Sequence, residues 1–335
     1  MGAPRGDART LAAPTRFVHQ PIGETSWNAP DMSEKNQQSA DLMARQYFLH
    51  LGAHRTGSSS FQLCLHENRA ALANAGYGVA FPARDGIRAG QLALRLPQPR
   101  HDAEAETRMA ETARQHLTQD IAPAPDQKVL LSEENILGSM SHFQQALFYP
   151  ASAKRLRALR QAMEGPAAAV LLVVRDYGPF FRSCIRKRME ETIVTDFEGA
   201  VSAYLAMDRG WLEVLREVRD ILEPAKLIVA RHEDRPKRVD LLRELAPDLA
   251  QVALMQPSTS LNISATDRAL SALQARYATG EKLSRKAWRA TLAEWRDDAT
   301  PMGLTEFTPR ELRAFSMRYE RDLSDIAKEP GLTLI

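Results

Sequence analysis

Residues 47–62 read YFLHLGAHRTGSSSFQ: an apolar run, a loop bounded by Gly52 and Gly57, then a string of hydroxyls. The glycine spacing is that of a triphosphate-binding loop, G-x-x-x-x-G-K-[ST]. The lysine is missing, because Ser58 stands in its place, and the strong cation, Arg55, lies inside the loop. A loop that leaves the carboxyl end of a strand and opens a helix presents N–H groups without intrahelical partners. The helix dipole adds partial positive charge there. Glycines let the backbone wrap an anion closely, and hydroxyls add donors. Arg55, Thr56, Gly57, Ser58, Ser59 and Ser60 therefore describe a site for a phosphate or sulfate group. A plain Gly/Ser turn before a capped helix is the simpler alternative, but it needs neither so many hydroxyls nor an arginine.

A second cation, Arg175, follows the apolar run of VLLVVRDYGPFFRSCIRKR. A third run, KVLLS, leads into Glu133 and Glu134. A magnesium triphosphate needs a lysine on its β/γ-phosphates and usually an aspartate at a strand end. A strand that ends in Arg175 suits a second anion better than a metal. Cys64 and Cys184 fall in helical stretches without close Cys or His partners, and read as small core residues rather than a disulfide or metal pair.

The elements that must position these groups alternate. Strands are predicted at 46–51, 77–81, 128–132, 168–174 and 226–230, with helical patterns between them. The 168–174 run is apolar at every position, as a strand covered on both faces requires. The fold class is therefore α/β, a mostly parallel central sheet flanked by helices on both faces. The first helix should run from Ser58 to Ala75 and stop at Gly76, and Pro179 suits the first turn of a later one. Residues 83–126 form a long excursion containing a helical stretch, HDAEAETRMAETARQHLTQD, either a lid or a packing element. After residue 235 the pattern is mainly helical, in segments 238–246, 266–278 and 309–328. With no internal repeat and no Ser/Gly linker, residues 44–335 read as one domain behind a flexible leader at 1–43. The chain of 335 residues carries 26% charged residues and a net charge of +2, which excludes the basic excess of a nonspecific nucleic-acid binder. No apolar run approaches the roughly 20 residues of a membrane helix, and the leader lacks a signal-peptide core. The expected compartment is the cytoplasm, by default.

HLGAHRTGSSSFQ resembles the 5′-phosphosulfate loop of the PAPS-dependent sulfotransferases, and Arg175 with Ser183 resembles their 3′-phosphate signature. Weaker echoes follow in VLLSEEN, in WLEVLREVRDILEPAKLIVARHED and in SLNISATD with Asn262 and Ser264, so that the resemblance spans residues 46–278. It implies a P-loop-like sulfotransferase architecture, PAPS as donor, PAP as product and no metal. Arg55 with Thr56–Ser60 would hold the 5′-phosphate and the leaving oxygen. Arg175 and Ser183 would bind the 3′-phosphate. The acceptor would be a hydroxyl or amine of a carbohydrate, lipid or small molecule. Arg55 replaces the usual loop lysine; it keeps the charge and can grip oxyanions through two N–H groups, but it cannot act as a base. The expected base is Glu133 or Glu134, which alternate faces, with His54 as competitor. His50 reads as a packed strand residue. Arg182, Arg186, Lys187 and Arg188 form either a solvated helix face or a contact of Arg186 or a neighbour with the nucleotide or an acidic acceptor. A P-loop kinase or NTPase, and a nucleotide-binding relative without catalysis, are the alternative functions.

Overall fold

The computed structural model describes residues 45–83, 87, 89–258 and 264–335. The expected leader and Asn262 lie outside the described residues. The described residues belong to one compact unit.

The predicted strands form β1 (Gln46–His50), β2 (Tyr77–Ala80), β3 (Lys128–Ser132), β4 (Ala169–Val174) and β5 (Leu227–Arg231). All neighbouring strands pair in parallel, in the order β2-β3-β1-β4-β5-β6. The sixth strand, β6 (Leu332–Leu334), extends the sheet beside β5 and was not anticipated. The chain adds strands on both sides of β1, so the loops after β1, β3 and β4 open together at the carboxyl edge. Open α/β sheets bind ligands in that crevice.

Both sheet faces are covered. Tyr47, Leu49, Val170 and Leu172 pack into one core with α3 (Ala103–Gln115), α4 (Ser152–Met163), α5 (Tyr177–Glu191), α6 (Phe197–Leu205), α7 (Trp211–Leu222) and, later in the chain, Phe315. Phe48, Leu171 and Val173 point the other way, into a core with α1 (Ser58–Glu67), α2 (Arg69–Asn74) and α8 (Arg238–Leu245). Burial on two faces accounts for the unbroken apolar run of β4. The C-terminal part adds α9 (Asp267–Ala278), α10 (Arg285–Glu294) and α11 (Pro309–Ile326), the last opened by a Thr308–Glu311 capping box.

The helix expected over 58–75 is two helices. Asn68 interrupts it: its Nδ2 donates to the Cys64 carbonyl and to the Met255 carbonyl, both at 2.8 Å, while its Oδ1 accepts from the Met255 N–H at 2.6 Å. The buried amide thus ties the 253–256 segment to the end of α1, a local competition with the backbone typical of asparagine. In the excursion, α3 starts at an Asp102 cap and buries Ala110 and Ala113 against the core shared with α4. That helix is a packing element.

Candidate active site: a cation-lined cleft at the strand tips

The loop after β1 stays laced to β4, through Leu51 N–H to the Leu171 carbonyl at 3.0 Å and Val173 N–H to the Gly52 carbonyl at 2.9 Å. Gly52 has φ +93°, and a Cβ there would lie 3.0 Å from the Cα and Cβ of Glu134. A side chain would therefore separate the loop from the segment after β3. The hydroxyls of Thr56 and Ser58 both donate to the Ala53 carbonyl, at 2.7 and 2.9 Å. They brace the loop from inside, and the first turn of α1 is left to offer backbone N–H groups. Gly57, Ser58, Ser59 and Ser60 line the cleft; Thr56 does not.

Arg55 crosses this opening. Its Nε donates to Ser183 Oγ at 2.8 Å and one terminal nitrogen reaches Ser264 Oγ at 3.5 Å. Arg175, at the tip of β4, donates to the Arg55 carbonyl at 2.7 Å, and its own carbonyl accepts from the Trp211 indole at 2.9 Å. The two turns singled out in the sequence therefore share one cleft. The Nε–H of Arg175 is buried and has no hydrogen-bond partner among the described residues. Burial is the main cause that lowers the Arg175 pKa; Glu233 opposes it and Arg55 adds to it. A bound oxyanion would relieve both the dehydration and the repulsion between guanidiniums.

The two glutamates after β3 diverge. Glu133 is buried and its Oε1 accepts from Asn135 N and Asn135 Nδ2, both at 2.8 Å; it does not line the cleft. Glu134 does line it. His54 is engaged on both ring nitrogens, Nε2 with Asn135 Oδ1 at 3.2 Å and Nδ1 with the Tyr149 hydroxyl at 3.1 Å. An ionised Glu133 only accepts, so Asn135 turns its NH2 toward it and its oxygen toward His54. His54 then carries its proton on Nε2 and accepts at Nδ1 from Tyr149. Burial pushes the Tyr149 phenol well up, so it remains a neutral donor.

Arg155 of α4 holds this segment from behind. Its buried guanidinium donates to the carbonyls of Asn135 at 2.6 Å, Ile136 at 2.9 Å, Leu96 at 2.8 Å and Pro97 at 2.7 Å. Sequence reasoning missed both Arg155 and Tyr149, which lie in a helix and a loop with no motif of their own. His50 is buried, bonded to Ser132 Oγ at 2.8 Å and stacked on Phe61 at 4.2 Å. Arg186 is neither solvated nor turned to the cleft: it pairs with Asp267 at 2.5 Å and donates to the Ala265 carbonyl at 2.6 Å, anchoring the start of α9. Its neighbour Lys187 lines the cleft.

The cleft has a volume of about 1160 Å³. From the loop it extends past Lys187 and Glu190 of α5 to Trp288, Arg289, Leu292 and Arg296, on and just after α10. His232, which follows β5, also lines it; burial, then Arg175, lowers its pKa to about 4. Its place directly after the fifth predicted strand was the signal available for finding it. Among the described residues no group of three or more His, Cys, Asp or Glu is arranged to hold a metal ion, and no helix is long and apolar enough to cross a membrane.

Fold and site together define an α/β protein with a cation-lined cleft at the carboxyl edge of its parallel sheet. No family model and no curated protein matches the sequence. Among solved structures the chain is similar to a sulfotransferase from Alicyclobacillus acidocaldarius, at 16% identity and a TM-score of 0.35, over 73% of this chain and 98% of the other.

Proposed function

We propose that this protein is a sulfotransferase that moves a sulfuryl group from PAPS to a hydroxyl or amine. The observation that carries the reading is the contact between Arg55 and Ser183, residues 128 positions apart, with Arg175 bonded to the Arg55 backbone. Two cationic, hydroxyl-bearing turns at neighbouring strand tips suit a ligand with phosphates at both ends. The unpartnered Nε–H of Arg175 supports an anion on its side of the cleft. Arg55 and the first-turn N–H groups of α1 would hold the 5′-phosphate; Arg175 and Ser183 would hold the 3′-phosphate.

In the reaction the acceptor oxygen or nitrogen forms a bond to sulfur as the bond from sulfur to the 5′-phosphate oxygen breaks. The electron pair leaves on that phosphate, and PAP is the product. Arg55 and the α1 N–H groups meet the charge that develops there, and losing one such contact typically costs about 3 kcal/mol. Glu134 takes the proton of the acceptor. Its position in the cleft favours it over Glu133, whose Oε1 is committed to Asn135. His54 lines the cleft as well, but its Nδ1 lone pair faces the Tyr149 hydroxyl, which favours Glu134. None of these roles calls on a metal ion. Ser58, at the lysine position of a triphosphate loop, turns its hydroxyl onto the Ala53 carbonyl, which weighs against the kinase reading.

Calorimetry with PAP, and with ATP in the presence and absence of Mg²⁺, tests the assignment. The expected result is metal-independent PAP binding, followed by transfer of labelled sulfate from PAPS. Micromolar, Mg²⁺-dependent ATP binding without any response to PAP would overturn it.

A further inference from the structure

Two carboxylates lie near the Arg175 guanidinium, and neither pairs with it among the described residues. Asp176 follows it in the chain, and Glu233 lies in the turn after β5, the strand beside β4. Both act on Arg175 through space, against the effect of burial. Every oxygen of the two is taken by another donor. Asp176 Oδ1 accepts from the Gly178 N–H at 2.8 Å, and Oδ2 from the Ser316 hydroxyl at 2.7 Å. Glu233 Oε1 accepts from the Asp176 N–H at 2.9 Å, and Oε2 from the Tyr319 hydroxyl at 2.8 Å.

The two hydroxyls come from one helix, α11, at positions i and i+3, which share a face. They reach carboxylates 140 and 86 positions away in the chain. Tyr319 is buried, with its ring edge-on to that of Tyr177 at 6.2 Å. Burial, then the bond to Glu233, pushes its phenol well up, so it stays a neutral donor. It does not line the cleft. Glu233 is exposed, so these two hydrogen bonds are what hold its charge in place. A guanidinium takes carboxylate and phosphate in the same geometry, and a released carboxylate would compete with a ligand for it. With both carboxylates held, the Nε–H of Arg175 is left without a partner.

Building on the sulfotransferase reading, we propose that α11 is the positioning element of the 3′-phosphate site: Tyr319 and Ser316 hold Glu233 and Asp176 off Arg175 and so keep its guanidinium for the nucleotide. Tyr319 acts at one remove, by restraining Glu233, an internal competitor for the same cation.

The test compares PAP with adenosine 5′-phosphate, which lacks the 3′-phosphate, by competition calorimetry on the full chain. The wild type should prefer PAP. Tyr319→Phe keeps the ring and removes the hydroxyl; the preference should fall about tenfold, the worth of one hydrogen bond to a charged group, with affinity for adenosine 5′-phosphate kept. Tyr319→Phe/Glu233→Gln should recover the wild-type preference to within about threefold, because the freed side chain no longer carries a charge. Glu233→Gln alone can keep both bonds, accepting from Asp176 and donating to the phenol oxygen, and should bind PAP at least as tightly as the wild type. A purely structural role predicts no such rescue, since losing a second contact would deepen the defect. An unchanged preference in Tyr319→Phe overturns the proposal, as does a loss that the double variant fails to recover. Weaker PAP binding by Glu233→Gln overturns it too, and can be read even where Tyr319→Phe does not fold. A wild type that binds neither nucleotide, or both equally, would instead sink the underlying sulfotransferase reading.

Discussion

The two ends of the cleft present charge in different ways. At the loop end the donors are backbone N–H groups and an arginine pinned by Ser183, on a turn braced by the Thr56 and Ser58 hydroxyls. Ser58 and Ser59 are buried there. At the α10 end the cations are the exposed side chains of Arg289 and Arg296, carried on a well-anchored helix. A preorganised cradle loses little entropy on binding and fits one group shape; long side chains adjust to many. Recognition at the loop end would therefore be built into the backbone, while recognition at the α10 end can change by single substitutions.

Glu134 lies at the loop end, against Gly52, and its replacement should have the largest effect. Glu134→Gln is expected to lower kcat by about 10²- to 10⁴-fold, the usual worth of a general base, with PAP affinity kept. Glu133→Gln should act differently. It removes the charged acceptor of two Asn135 N–H groups, so thermal unfolding should shift by about 1–3 kcal/mol while more activity survives. Single-turnover transfer and unfolding of both variants decide the matter. The opposite pattern would make Glu133 the base and detach the chemistry from the cleft.

A smaller effect tests the rigidity of the loop end. Gly57 has φ +97°, and a Cβ there would come within 2.7 Å of the Arg238 guanidinium. Gly57→Ala should cost about 1–3 kcal/mol of strain, whether paid in stability or in PAP affinity. Urea unfolding and calorimetry read the two together. A variant unchanged in both would show that the cradle is not preorganised.

The same contrast explains what could be read in advance. The loop is written in contiguous residues, so Arg55 and Ser58 stood out from spacing, while Ser183 stood out only through the family resemblance, and the apolar runs of β1 to β5 gave the sheet. β6 escaped because it is three residues long and only half-buried. The break at Asn68 depends on Met255, 187 residues away, a partner that helix periodicity does not reveal. The α10 wall was illegible for a related reason. Its charged and apolar residues resemble any solvated helix until folding brings them to the far side of Lys187. Arg155 likewise gains its meaning only from the four carbonyls that surround it.

The smallest expected effect concerns His232, which ties the loop end to pH. Its pKa is lowered from 6.5 to about 4, chiefly by burial, then by Arg175; Arg238 and Arg235 push the same way and Glu233 opposes them. Above pH 6.5 the ring is neutral folded or unfolded, and its contribution to stability is fully present. As pH falls from 6.5 toward 4 the unfolded chain takes up a proton that the folded chain refuses, so stability falls across that window. An anion held by Arg175 acts in the opposite sense. It offsets the repulsion and raises the His232 pKa, so binding should take up a proton within the window and tighten as pH falls, by at most tenfold per pH unit. The phosphates of PAP also titrate there, so the comparison must be with His232→Gln. Calorimetry at pH 5.5 in two buffers of different ionisation enthalpy should find less proton uptake in that variant than in the wild type. Equal uptake would mean that His232 does not sense the bound anion, and the loop end would then rest on Arg55, Arg175 and the α1 amides alone.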